Sequence, residues 1–296
     1  MVPLELVRRA CLTECTARKP GNVFPGVDFE DLTYSHFVAA AHVAAATLPA
    51  AAEIGVGPAV LNCVRATREE CGTNVNLGIA LLLAPLCTVP ASESLAVGIG
   101  SVLAATTVED ACAVYEAIRV ANPGGLGDAA EQDVRDEPTV TLTEAMALAA
   151  DRDRIARQYT DAFADVQRDA EVLAGTWQRA GWEAATGAAF LHRLALVPDS
   201  HIVRRCGRAT AERVRLRAGE AWNRQEGVPG RPFELKAVAR LDRYLRGGSP
   251  RRNPGTTADL TCAALFWAGR ERLIELPTED ELAAHAARLV RTAGRG

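Results

Sequence analysis

Strict alternation of apolar and polar residues, the pattern a half-buried strand requires, is hard to find anywhere in this sequence. Its absence argues against a sheet-built fold. A basic field is missing too: 33 Lys and Arg stand against 37 Asp and Glu, for a net charge of -4. Nucleic acid is therefore not an expected partner, although a small anionic substrate needs only a local cluster of cations. The eight cysteines include no CxxC pair and no closely spaced histidine partner, which argues against zinc and against a disulfide framework. Cys11 and Cys15, four residues apart on one helix face, read as buried free thiols. The most hydrophobic run, "LGIALLLAPLC", is too short to span a bilayer and contains Pro85. Charges interrupt the N-terminal stretch "MVPLELVRRACLTECTARKPGN", so it does not read as a signal peptide. No membrane partner is expected, and the location expected is cytoplasmic.

Alanine and leucine recur at three- and four-residue spacing almost throughout. That periodicity predicts an all-α fold, a single multi-helix globular domain over 1–296, and its polar stretches are expected to form a central nucleotide or phosphate pocket from the interhelical loops. The expected helices are 3–17, 33–48, 57–69, 76–88, 92–104, 109–120, 141–175, 177–196, 203–225, 233–246, 256–272 and 279–293. Thr141-Leu-Thr-Glu144 reads as a capping box, and "LPTEDELAAH" places Thr278 before an acidic first turn. Function should sit in the Gly- and Pro-rich breaks, since loops on a rigid frame are where binding groups gather.

Five polar stretches carry the chemistry on offer. In "ARKPGNV", Lys19 either complements the C-terminal dipole of the first helix or contacts a phosphate, and Asn22 with the acids Asp28, Glu30 and Asp31 suits phosphate plus magnesium. In "GTNVNLG", Asn74 and Asn76 precede an apolar helix, as caps or as hydrogen-bonding groups for a base or ribose. "NPGGLGDAAEQDV" begins with Asn122 and carries Asp128, Glu131 and Asp133, without a dinucleotide or P-loop fingerprint. In "AADRDRIARQY", Asp151 is expected on an inner helix face with Ile155 and Gln158, while Asp153 and Arg157 make a surface pair. "PDSHIVRRCG" brings together Asp199, His201, Arg204 and Arg205 near a helix start. Finally "NPGTTADL", which starts with Asn253, is either a capping box of Thr256 with Asp259 or an anion seat at a helix entrance. There is no nucleophile elbow, no HExxH and no reactive-looking cysteine.

Taken in order, "KPGNV", "TNVNLG", "NPGGLG", "PDSHIVRRCG" and "NPGTTADL" resemble the triphosphoribosyl-dephospho-CoA synthase family, from about residue 12 to residue 268. The first and last match that family's motifs closely. The middle one, "NVNLG", departs from N-T-H-K-G by lacking its histidine and lysine, a pattern similar to a divergent branch found in lineages that use tetrahydromethanopterin. The resemblance implies an all-helical pentosyltransferase. It would move the triphosphoribosyl group of ATP to the ribose 2′-hydroxyl of dephospho-CoA and release adenine. Two alternatives stay open: phosphoribosyl transfer from phosphoribosyl pyrophosphate to a pterin-arm hydroxyl, and a nucleotide-binding protein without chemistry.

Such a transfer passes through an oxocarbenium-like state, which needs a base for the acceptor hydroxyl, help for the leaving group and clamps for phosphates. The expected base is Asp259 or Asp151. Mg²⁺ is the expected cofactor, on Asp128, Asp133 and Asp199. The expected phosphate clamp is Lys19, Arg204, Arg205, Thr256 and Thr257, with Asn22, Asn74, Asn76, Asn122, Gln158 and Asn253 as further substrate contacts. A homodimer is an open option.

Overall fold

In this computed structural model, which describes residues 3–124, 131–223, 236–248 and 252–293, the helical periodicity becomes helices, and no strand forms among the described residues. The first half of the chain runs α1 (Pro3–Thr16), α2 (Tyr34–Thr47), a 3-10 turn at Leu48–Ala50, α3 (Ala51–Ile54), α4 (Val56–Cys71), α5 (Leu77–Thr88), α6 (Leu95–Ala104), α7 (Val108–Ala121) and α8 (Leu142–Ala149). The second half runs α9 (Arg154–Thr160), α10 (Ala164–Ala180), α11 (Trp182–Leu196), α12 (Ser200–Cys206), α13 (Arg208–Asn223), α14 (Lys236–Arg246), α15 (Gly255–Arg270) and α16 (Glu279–Ala293).

The expected starts of α1, α2, α4, α5, α7, α15 and α16 fall within a residue of those observed. The capping boxes at Thr141 and Thr278 form: the Thr141 amide donates to Glu144 Oε2 at 2.8 Å and the Thr278 amide to Glu281 Oε2 at 2.7 Å. Two long expected helices are broken. The stretch 141–175 divides at Asp153, whose Oδ1 accepts the amides of Ile155 and Ala156 and so starts α9. It divides again at Ala162 and Phe163, both left-handed at φ 50 and 62. The stretch 203–225 divides at Gly207, whose φ of 82 ends α12.

Contacts group the chain into two compact units, Met1–Arg8 with Ala39–Gln167, and Arg9–Val38 with Arg168–Gly296. In the first, α5 is apolar on all sides, and Leu82, Leu83, Ala84 and Leu86 are fully buried. Beside it α4 packs on α7. A Cβ on Gly57 would lie 2.3 Å from the carbonyl oxygen of Asp110, so only glycine permits this approach. The Asp110 carboxylate locks the crossing by accepting the amides of Gly57 and Thr107 at 2.7 and 2.9 Å.

In the second unit the apolar run of α15 is buried continuously from Leu260 to Ala268. Phe190 and Leu194 of α11, Ile202 of α12, Val214 of α13 and Leu241 and Leu245 of α14 form a second core. All eight cysteines are free, with Cys11 and Cys15 buried.

Candidate functional site

Three of the polar stretches come together in the second unit. After α1 the chain turns through Gly21, at φ 79, where a Cβ would meet Leu245 at 2.7 Å. The Gly21 amide donates to Asp242 Oδ1 at 2.8 Å, and the Asn22 carbonyl accepts from Arg246 Nη2 at 2.6 Å. Arg246 also grips Asp242 at 2.9 and 3.0 Å. The Asn22 side chain donates to Asn253 Oδ1 at 2.6 Å. The KPGN turn is therefore strapped both to α14 and to the NPG turn that opens α15.

The entrance of α15 is neither of the two arrangements expected from "NPGTTADL". The helix starts at Gly255 with Pro254 at the N-cap position, so Thr256 lies too far in to cap it, and Pro254 offers no side-chain cap. The cap comes from another helix. The Thr257 amide and hydroxyl both donate to Asp199 Oδ2 at 2.8 Å, while Asp199 Oδ1 accepts the Ile202 amide at 2.9 Å. One buried carboxylate thus closes the N-termini of α12 and α15, and the anion seated there belongs to the protein. Burial pushes the Asp199 pKa above the usual aspartate range, opposed by the Ile202 and Thr257 bonds and the charge of Arg204. Ser200 Oγ donates to Thr256 Oγ1 at 3.0 Å, and a Cβ on Gly255 would come within 2.9 Å of His201 Nδ1.

Lys19 is a fully buried side chain that closes the C-terminal end of α1. Its ammonium donates to the carbonyls of Glu14 and of Ala17, the latter at 3.0 Å, and lies 3.1 Å from Glu14 Oε1. These three partners use its three donors, so the dipole-complementing role applies and no N–H is left for a phosphate. Burial raises the Glu14 pKa, and Lys19 opposes the rise. Arg204 is half-buried and Arg205 exposed at the end of α12; Asp259 is half-buried in the second turn of α15. Asp28 is exposed and accepts the Tyr34 amide at 2.7 Å, at the start of α2.

The remaining candidates lie in the first unit. Asn74, not Asn76, supplies the side-chain bond at the start of α5, accepting the Leu77 amide at 3.2 Å. Asn76 is buried and donates to Thr67 Oγ1 at 2.8 Å. Asn122 is an exposed left-handed residue ending α7. Gln158 is buried and donates to the Arg154 carbonyl and to Asp165 Oδ2 at 3.1 and 3.0 Å. Asp151 is not on an inner face: it is 98% exposed, in the break before α9, and pairs with Arg157 at 2.6 Å. Asp153 Oδ1 accepts the Ile155 amide at 2.8 Å as the cap of α9.

The expected magnesium ligands are Asp128, Asp133 and Asp199. Asp128 lies outside the described residues, Asp133 is held by Arg135 at 2.8 Å in the first unit, and both Asp199 oxygens are engaged in the second. Among the described residues no group of three or more His, Cys, Asp or Glu is placed to hold a metal.

Sequence reasoning passed over Glu14, Asp242, Arg246 and Ser200. Asp242 and Arg246 look like an ordinary i, i+4 surface pair, and only the fold reveals that they hold the KPGN turn.

A model of one protein family, described as ATP:dephospho-CoA triphosphoribosyl transferase, matches residues 3–278. The crystal structure of a protein from Archaeoglobus fulgidus, described as a candidate triphosphoribosyl-dephospho-CoA synthase, is similar with a TM-score of 0.63 and 26% identity, covering 79% of this chain and 98% of that one. Comparison with curated proteins finds no match.

Proposed function

Because this chain belongs to the ATP:dephospho-CoA triphosphoribosyl transferase family, we propose that it moves the triphosphoribosyl group of ATP to the ribose 2′-hydroxyl of dephospho-CoA. The bond from ribose C1′ to the base nitrogen breaks, a bond from C1′ to the acceptor oxygen forms, and adenine departs. The observation that carries this reading is the family match over residues 3–278, supported by the joining of KPGN, DSH and NPGTT into one hydrogen-bonded piece.

In this reading Asp259, half-buried on α15, takes the proton of the acceptor hydroxyl. Arg204 and Arg205 hold phosphate, since guanidinium groups present paired donors to phosphate oxygens. Lys19 and Asp199 act one step back, keeping the KPGN turn and the α15 entrance in shape. Magnesium enters as the ATP complex, held by the substrate's own phosphates.

The test is to incubate the purified chain with Mg·ATP and dephospho-CoA and to follow adenine release and the mass of the coenzyme product. Adenine formed only when both substrates are present supports the proposal. Turnover of phosphoribosyl pyrophosphate with a pterin-arm hydroxyl, or nucleotide binding with no turnover, would replace it by the corresponding alternative.

A further inference from the structure

The two compact units carry opposite charge. The first holds 18 Asp and Glu against 8 Lys and Arg, the second 19 against 25, so the net -4 of the chain divides into -10 and +6. Much of the positive excess lies on one face of the second unit. The exposed side of α13 carries Arg213, Leu216 and Arg217, and that of α14 carries Lys236, Arg240 and Arg243 in a row at spacings of four and three. The two helices pack together, and the Arg217 guanidinium lies over the Tyr244 ring of α14, 4.4 Å from its centre, so the two rows are neighbours. None of these five cations has a carboxylate partner among the described residues; Arg213 donates to Thr210 Oγ1 at 3.1 Å. The acids beside them are largely occupied, Glu212 by Arg215 and Asp242 by Arg246 and the Gly21 amide, which leaves Glu220. Cations gathered in this way repel one another, and an opposing acidic surface relieves the repulsion.

The first unit holds such a surface. The Leu142 amide donates to the Thr107 carbonyl at 3.1 Å, which sets the starts of α7 and α8 side by side with exposed Glu109 and Glu144 on them. The segment leading into α8 folds back where the Gln132 side chain bonds the Thr139 hydroxyl and amide, each at 2.9 Å, and this brings exposed Glu131, Asp136 and Glu137 to the same end. The cations among them are engaged: Arg135 with Asp133, and Arg119 with the Val134 carbonyl at 2.7 Å. Each face also exposes a leucine. Leu216 stands between Arg213 and Arg217 at 53% exposure, and Leu148 stands one turn beyond Glu144 at 49%. An apolar side chain ringed by charge of one sign is the composition of a surface that becomes buried on association.

We propose that the basic face of α13 and α14 docks on the acidic face of a second copy of this chain, formed there by the starts of α7 and α8 and residues 131–139. The charge of the whole chain selects this occupant. A nucleic acid or an anionic membrane is repelled by the net -4, whereas a second copy presents the opposite sign on its own first unit. The contact joins unlike faces, so reversing the charge of either one breaks it and reversing both restores it.

Sedimentation equilibrium of the full chain tests this at about 0.01 M salt, where the screening length is about 30 Å, and at about 1 M, where it is about 3 Å. The wild type should exceed the mass of one chain in low salt and self-associate at least about tenfold more weakly in high salt. Arg217→Glu with Arg243→Glu should run as a single chain in low salt, and so should Asp136→Lys with Glu137→Lys. All four positions are exposed, and circular dichroism checks that both variants fold. An equimolar mixture of the two variants should associate again, because each reversed face then meets its complement. A wild type that stays a single chain in low salt overturns the proposal, as does an assembly whose mass ignores both salt and charge reversal, or a mixture that fails to associate. The salt comparison on the wild type decides even where a variant does not fold. A single-stranded RNA oligonucleotide and phosphatidylglycerol vesicles are titrated into the wild type as well. Binding of either by a wild type that remains a single chain, lost in Arg217→Glu with Arg243→Glu, would give the face to that polyanion and overturn the proposal.

Discussion

Replacing Asp199 by asparagine tests the claim that one buried carboxylate holds two helix entrances together. Asparagine keeps the shape but offers one acceptor oxygen where aspartate offers two. Three donors converge here, from the amides of Ile202 and Thr257 and the Thr257 hydroxyl, at 2.8–2.9 Å. At least one bond to a charged acceptor is lost, worth roughly 1.5–3 kcal/mol, and a buried N–H is left facing an NH₂. Relief from burying a charge offsets part of that loss, so a net destabilisation of about 2–4 kcal/mol is expected. At roughly 2–4 °C per kcal/mol for a chain of this size, the melting temperature should fall by about 4–16 °C. The pH dependence sharpens the test. The folded-state pKa of Asp199 is raised above its ordinary 3.8 by burial. The native state therefore binds this proton more readily than the unfolded chain, so stability from this group is fully present below 3.8 and is lost as pH rises through the folded value. Denaturant unfolding of wild type and Asp199→Asn should show a gap that widens as pH falls from neutral toward the ordinary aspartate value. A gap that is absent at neutral pH, or that narrows on acidification, refutes the reasoning.

Lys19→Met should cost about 3–5 kcal/mol, because it strands the buried Glu14 carboxylate. The double variant with Glu14→Gln should recover most of that loss and bind ATP as the wild type does; a tenfold loss of ATP affinity in the double variant would return Lys19 to the phosphate clamp. Gly57→Ala forces a Cβ to 2.3 Å from the Asp110 carbonyl oxygen, a backbone atom that cannot swing away, and should destabilise the α4–α7 crossing by about 1–3 kcal/mol or more. Chemical denaturation that leaves this variant as stable as wild type would show that the crossing relaxes freely.

The helices were legible because their periods and caps are local signals. Thr141 with Glu144, Thr278 with Glu281, and the apolar run of α15 each declare themselves within a few residues. The breaks at 150–153 and 161–163 were not legible, since neither has glycine or proline: the first depends on Asp153 turning back to cap α9, the second on left-handed Ala162 and Phe163. The KPGN and NPGTT stretches stood out as composition. Their joining through Asn22, Asn253, Asp242 and Arg246 spans more than 200 residues of chain, and no local pattern encodes it. The question of cap or anion seat at α15 had no answer in the sequence, because the group that settles it, Asp199, lies 58 residues away from Thr257.

Adenine release by wild type and by Asp259→Asn, each supplied with Mg·ATP and dephospho-CoA, tests the account most directly. The wild type should release one adenine for each coenzyme molecule that gains a triphosphoribosyl group, and none when dephospho-CoA is left out. Asp259→Asn should fold and bind ATP as the wild type does while losing at least about a hundredfold in turnover, the scale on which a general base contributes. No adenine from the wild type under these conditions would contradict the proposed reaction, and full turnover by Asp259→Asn would contradict the assignment of its base.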